Sequence, residues 1–236
     1  MEPLHIMYSY QSNEIDIINS LLAKFANLQV KTDVFNLDGT LKYSHSITTN
    51  VDEDGIKKCF ELPAIEGLSD TYFLRLQLKD ANGKIQSINW YWLSEKKDEL
   101  NWKNSKWYYT PQSAFADYSA LENLSKTKLS VGYTTNKKGD STTHTITVTN
   151  TGKVVAFFVH VRALHSKDGE DILPLIFDDN YLLLAPRESR TIRCSYANKD
   201  AKNNVAPYFT TTAWNLDVKN SRSLKGGGFA EEISGK

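Results

Sequence analysis

Most of this chain is written in a period of two. Leu28, Val30, Thr32 and Val34 alternate with Gln29, Lys31 and Asp33, and Tyr72, Leu74, Leu76 and Leu78 alternate with Arg75, Gln77 and Lys79. Successive side chains of an extended strand point to opposite faces, so each run specifies a strand with one apolar side. Turn residues close the runs at Asp38-Gly39 and at Asp80-Ala81-Asn82-Gly83, where Asp-Gly and Asn-Gly favour tight reversals. The second turn makes a hairpin of segments 72–79 and 85–93, with Ile88, Trp90 and Trp92 on one face and Trp90 and Trp92 expected to pack in the core. Segment 14–25, EIDIINSLLAKF, reads as a strand followed by a bend, because Ile15 and Ile17 alternate and β-branched residues are dense. About seven strands precede Lys96, the number and spacing of an immunoglobulin-type sandwich.

The second half repeats the plan. Strands are expected at 129–135, 142–150, 154–164, 172–177, 181–184, 190–196 and 208–216. Thr151-Gly152 would join the second and third of these as a hairpin, with His144 and His160 on opposite faces and unable to share a metal. No helical segment alternates with the strands, which excludes a (β/α)8 barrel or a doubly wound sheet. The expected fold is all-β: two tandem immunoglobulin-like β-sandwiches, 1–97 and 126–218, joined by a packed aromatic connector, 98–125. A flexible C-terminal tail, 219–236, carries the glycine run 226–228.

Residues 101–124, NWKNSKWYYTPQSAFADYSALENL, fit neither strand pattern. Solvated linkers are built from Gly, Ser, Pro and charge, whereas this one contains Trp102, Trp107, Tyr108, Tyr109, Phe115 and Tyr118. It is expected to lie against a surface with Trp102, Trp107 and Phe115 buried, and to make a short helical turn within 116–124. Should those aromatics stand bare, either another domain covers them or they bind sugar.

Lys plus Arg and Asp plus Glu number 28 each, so there is no electrostatic footprint for nucleic acid or an anionic membrane. No apolar run is long enough to span a bilayer as a helix. Cys59 and Cys194 lie far apart with no cysteine neighbour, which argues against a disulfide framework or a thiolate zinc site and leaves the compartment open. A periplasmic or secreted parent would carry its signal upstream of this segment.

Candidate chemistry is sparse. Asp52-Glu53-Asp54 reads as a solvated turn. Asp178-Asp179-Asn180 interrupts an apolar run and offers oxygen ligands or a ligand contact near Tyr181, yet Ca²⁺ needs six to eight oxygens, and a turn between strands is the preferred reading. Trp107, Tyr108 and Tyr109 offer a platform for a sugar ring, although in an extended segment at most two would share a face. There is no nucleophile elbow, P-loop or dinucleotide fingerprint. No catalytic, cofactor-binding or metal residue is assigned, and no cofactor is implied.

Several stretches resemble the C-terminal immunoglobulin-like domains of glycoside hydrolase family 2, in the branch of exo-β-D-glucosaminidases and β-mannosidases. They are EPLHI at 2–6, FNLDG at 35–39, YFLRLQLKDANGKIQSINWYWLS at 72–94, the aromatic connector at 107–121, and NTGK, ILPLIFDDNYLLLAP and RES within 150–189. The resemblance implies an accessory piece of a retaining β-glycosidase whose two catalytic glutamates reside in a preceding barrel. No position here matches those glutamates. The implied partner is the catalytic barrel of the same polypeptide; oligosaccharide is a candidate ligand on the binding-module reading. A stand-alone carbohydrate-binding module and an adhesion or scaffolding pair are the competing readings.

Overall fold

In a computed structural model the chain forms two compact units, residues 1–123 and 124–236. The structure describes residues 2–167, 169–201 and 207–217, together with the backbone of 222–224 and 232–233.

The first unit contains β1 (Leu4–Tyr8), β2 (Glu14–Asn19), β3 (Phe25–Asn36), β4 (Leu41–Val51), β5 (Gly55–Glu61), β6 (Thr71–Lys79) and β7 (Ile85–Ser94). They form two sheets, β1-β2-β5 and β4-β3-β6-β7, and neighbouring strands pair antiparallel. Segment 14–25 is a strand and a bend, as its β-branched pattern predicts. Ile6, Ile15 and Ile17 from one sheet meet Leu28, Val30, Leu74, Leu76 and Leu78 from the other, all fully buried. Each such side chain stabilises the unit by ~1.5–3 kcal/mol relative to exposure.

Trp90 and Trp92 depart from expectation. They pair with Arg75 and Phe73, which places them on the outer face of the larger sheet. There the Arg75 guanidinium lies 5.7 Å from both the Phe35 and Trp90 ring centroids and bonds the buried Asp33 carboxylate at 2.5 Å. The inward positions of β7 belong to Ser87, Asn89, Tyr91 and Leu93, opposite Leu78, Leu76, Leu74 and Tyr72. Polar residues are admitted there because β1 supplies partners: Ile6 N–H donates to Ser87 Oγ, and Asn89 Nδ2 donates to the Ile6 carbonyl. Hydrophobicity alone did not specify the face, since β6 is buried on both sides.

Beyond β7, a short ribbon of β8 (Glu99–Leu100) and β9 (Gln112–Ala114) leads to a 3₁₀ turn at Ser119–Asn123. The turn lies within the segment where a helical turn was expected.

The second unit contains β10 (Leu129–Lys138), β11 (Ser141–Asn150), β12 (Ala156–Leu164), β13 (Ile176–Phe177), β14 (Leu182–Leu184), β15 (Ser189–Ala197) and β16 (Tyr208–Thr212), followed by β17 (Arg222–Leu224) and β18 (Glu232–Ile233). The sheets run β13-β15-β11-β10-β17 and β14-β12-β16-β18, over a core that includes Leu129, Ile146, Val148, Val159, Leu184 and Ile192. The expected hairpin of 142–150 with 154–164 does not form. β11 pairs with β10 and β15, while β12 pairs with β14 and β16, so Thr151-Gly152 carries the chain from one sheet to the other.

The fully buried Asn150 dictates that crossover. Its Nδ2 donates to the carbonyls of Val154 (2.8 Å), Leu184 (2.9 Å) and Ala185 (3.2 Å), and its Oδ1 accepts from Thr127 Oγ1 (2.7 Å) and Gly152 N (3.0 Å). A Cβ at Gly152 would collide with the Thr127 side chain, so only glycine fits the corner. A bulge at Phe158 (φ 51°) then shifts the register between Ala156 and Val159, bringing both into the core.

His144 and His160 therefore lie in different sheets. They do not stand on opposite faces of one hairpin, as the expected turn at Thr151-Gly152 would have placed them.

Within the expected tail, β17 pairs in parallel with β10 and β18 with β16. The run 226–228 lies outside the described residues.

Candidate functional site

The connector is a hairpin arm. At its base Asp98 Oδ1 accepts from Gln112 Nε2 and from Ala116 N–H, both at 2.9 Å. β8 and β9 pair above this, Asn101 N–H donates to the Pro111 carbonyl, and Ser105 and Thr110 hydroxyls meet at 2.8 Å. The chain reverses between Lys106 and Tyr109, which exchange backbone bonds of 2.8 and 3.4 Å. Trp107 and Tyr108 occupy the tip.

At the far end, Asp117 N–H donates to Ser94 Oγ and the Asp117 carbonyl accepts from Thr71 Oγ1. This anchors the arm to β6 and β7. The Asp117 carboxyl also receives the Ser119 hydroxyl and N–H, which hold it below the usual carboxylate range.

The expected burial of the connector is overturned. Trp107 is 95% exposed, Trp102 70%, Phe115 60%, Tyr108 69% and Tyr109 53%. Aromatic content was read as a demand for a packing surface within the chain, but the segment satisfies its backbone polar groups by pairing with itself, so it has no need to lie along a sheet. The tip residues sit on a reversal, not on an extended strand. Trp107 and Tyr108 meet edge to face at 5.3 Å, and Tyr108 and Tyr109 lie tilted at 6.0 Å. Together they present a contiguous, solvent-exposed aromatic surface.

The second group of candidates belongs to the other unit. Asp178 accepts from Arg193 N–H (2.6 Å) and Nε (3.1 Å), and Asp179 accepts from Arg190 Nη2 (2.7 Å). Asn180 brackets the Val161 peptide, accepting from its N–H at 3.0 Å and donating to its carbonyl at 2.8 Å. Both carboxylates are thus engaged by arginines in an inter-strand turn. Among the described residues no group of three or more His, Cys, Asp or Glu side chains is arranged to hold a metal.

Tyr181 (φ 54°) stacks on His160 at 4.3 Å and 9°, with 57% of its surface exposed. Burial, and then Arg162, lower the His160 pKa, which favours a neutral, stackable ring. Trp107, Tyr108 and Tyr109 are brought together by the hairpin, and Asp178, Asp179 and Tyr181 by the turn.

A third constellation leaves no signal in the sequence. A cleft of about 380 Å³ at one end of the first sandwich is lined by Tyr8, Tyr10, Tyr72, Tyr118 and Asp98. Tyr8 and Tyr10 flank a single serine in the sequence, while Tyr72 and Tyr118 are distant; only the sandwich and the return of the connector unite them.

The family description "Exo-beta-D-glucosaminidase Ig-fold domain" matches residues 107–216, and "Mannosidase Ig/CBM-like domain" matches residues 12–98. An exo-β-D-glucosaminidase of Amycolatopsis orientalis is 41% identical over 225 residues, covering 92% of this chain and 21% of the relative. One from Streptomyces avermitilis is 37% identical over 220 residues, covering 91% and 24%. The crystal structure of the Amycolatopsis orientalis exo-chitosanase superimposes with a TM-score of 0.86 at 38% identity, covering 91% of this chain and 26% of that one. The chain thus spans about a quarter of the length of the relatives it matches. It belongs to the immunoglobulin-fold domains of the exo-β-D-glucosaminidase and glycoside hydrolase family 2 group.

Proposed function

We propose that this chain is the non-catalytic accessory part of a retaining β-glycosidase of exo-β-glucosaminidase or β-mannosidase type, and that it supports a catalytic barrel in the same polypeptide. The parent would hydrolyse a terminal β-linked sugar with two carboxylates of its barrel. The observation that carries this reading is the match of nearly the whole chain to about a quarter of such enzymes. The exposed aromatic hairpin supports it further. Five large rings held on a self-paired arm suit a surface that is covered in the larger polypeptide, and Trp and Tyr are the side chains most enriched at such contacts.

Two measurements test the reading. The purified chain should hydrolyse neither nitrophenyl β-glucosaminide nor nitrophenyl β-mannoside; metal-independent turnover would refute the accessory role. The chain should also bind the separately produced barrel region of its parent, and a Trp107→Ala/Tyr108→Ala double variant should weaken that association at least about tenfold. Unchanged association would remove the hairpin from the interface.

A second reading has the 95% exposure of Trp107 in its favour: Trp107, Tyr108 and Tyr109 stack directly on an oligosaccharide. A change in tryptophan emission on addition of chitosan or manno-oligosaccharides, lost in Trp107→Ala, would select it.

A further inference from the structure

The tyrosine cleft offers a different site on the first unit, and it does not depend on which enzyme the chain serves. Tyr8 is the last residue of β1 and Tyr72 lies at the start of β6, so their rings close the end of the sandwich where the core opens to solvent. Tyr10, in the turn after β1, packs edge to face on Tyr8 at 5.4 Å and on Tyr91 at 5.8 Å. Tyr118 comes from the connector. Burial and the neighbouring Tyr72 and Tyr10 push the Tyr8 phenol up to about 12, in keeping with phenols gathered in one place.

Among the described residues, Tyr8 alone of the four spends its hydroxyl on the protein, donating to Asn13 Oδ1 at 2.8 Å. The hydroxyls of Tyr10, Tyr72 and Tyr118 have no hydrogen-bond partner among the described residues. Apolar ring faces beside unengaged hydroxyls match a pyranose, which is apolar on its faces and polar around its rim. A concave site with a few convergent polar groups is the ordinary form of a small-ligand pocket.

A second cavity shares Tyr8, Tyr72, Ser94 and Lys97 with the first. The two cavities, about 380 and 780 Å³, adjoin at these residues and together have room for more than one sugar ring. Their walls bring in the carboxylates of Asp98, Glu61, Glu66 and Glu95 against the ammonium groups of Lys96 and Lys97. Among the described residues none of these carboxylates is in an ion pair. The lining is therefore net acidic, which favours a cationic ligand over a neutral or acidic one.

We infer that this cleft binds a β-linked amino-sugar chain, with the tyrosine rings and hydroxyls seating the pyranose units and the carboxylates selecting their ammonium groups.

The test is calorimetric titration of the full chain with a β-1,4-linked glucosamine tetramer at about pH 6 and low salt, where the amines are protonated. Saturable binding is expected. Tyr10→Ala and Tyr118→Ala should each weaken it at least about tenfold, while Trp107→Ala should leave it unchanged. Glu95→Gln should narrow the preference for the glucosamine tetramer over its N-acetylated form and over mannotetraose. Tyr10 and Tyr118 are 64% and 37% exposed, so both variants should fold, and their circular dichroism should match that of the parent chain. Absence of saturable binding, or binding indifferent to both tyrosine variants, would overturn the site. Loss of binding in Trp107→Ala would move it to the hairpin, and equal affinity for mannotetraose would overturn the amino-sugar assignment.

Discussion

Acidification should destabilise the second unit through a single imidazole. His144 is 1% exposed, with Nδ1 2.9 Å from Thr135 Oγ1 and Nε2 3.3 Å from Tyr196 Oη. Its ring stacks on Tyr196 and meets Phe209 and Tyr133 edge-on. An imidazolium there would lose its hydration among aromatic rings with no carboxylate to compensate. Burial, with a smaller contribution from Lys137, accordingly depresses the pKa from 6.5 to about 4.

The sign follows from linkage. Between these values the unfolded state binds the proton and the folded state does not, so the stabilisation is complete above pH 6.5 and is lost as pH falls toward 4. At ~1.4 kcal/mol per pH unit the full gap is worth roughly 3 kcal/mol, and about 2 kcal/mol is already lost near pH 5. The assay is urea unfolding of the parent chain and of His144→Phe near pH 7.5 and near pH 5. Phenylalanine keeps the ring but cannot titrate, so the variant should lose about 2 kcal/mol less than the parent chain between the two conditions. Parallel loss in both proteins would refute the reasoning. So would an imidazole proton resonance titrating near 6.5 in the folded chain.

Three other outcomes follow from the described geometry. Asn150→Ala removes a side chain that serves three buried carbonyls and should cost at least ~3 kcal/mol by urea unfolding. Gly152→Ala drives a Cβ into Thr127 and should cost ~1–3 kcal/mol by the same measure. Trp107→Ala should change the chain's stability by no more than ~0.5 kcal/mol, because its ring is almost wholly in solvent; a larger loss would mean that the tip supports the fold.

Leu74, Leu76 and Leu78 alternate with polar neighbours, and that period suffices for a strand and its inward face. The same rule misplaced Trp90 and Trp92, because β7 carries aromatic residues on both faces and the partner strand chooses between them. The crossover at Thr151-Gly152 looks like a hairpin turn in one dimension. It becomes a sheet-to-sheet corner only when Asn150 finds carbonyls at Val154, Leu184 and Ala185.

Of the candidate site, the aromatic content of 101–124 was evident in the sequence but its exposure was not. Burial is a property of what folds against a segment, and a hairpin that pairs with itself can leave its rings in solvent. The tyrosine cleft was invisible for a related reason: Tyr8, Tyr72 and Tyr118 share no spacing, and only chain return brings them together.

By itself, then, the sequence determined the all-β class, the two sandwiches and the family, since these rest on local period, turn chemistry and wording. Tertiary structure alone decided which sheet each strand joins, which face each aromatic takes and where the tyrosines converge, because those depend on contacts between residues far apart in the chain.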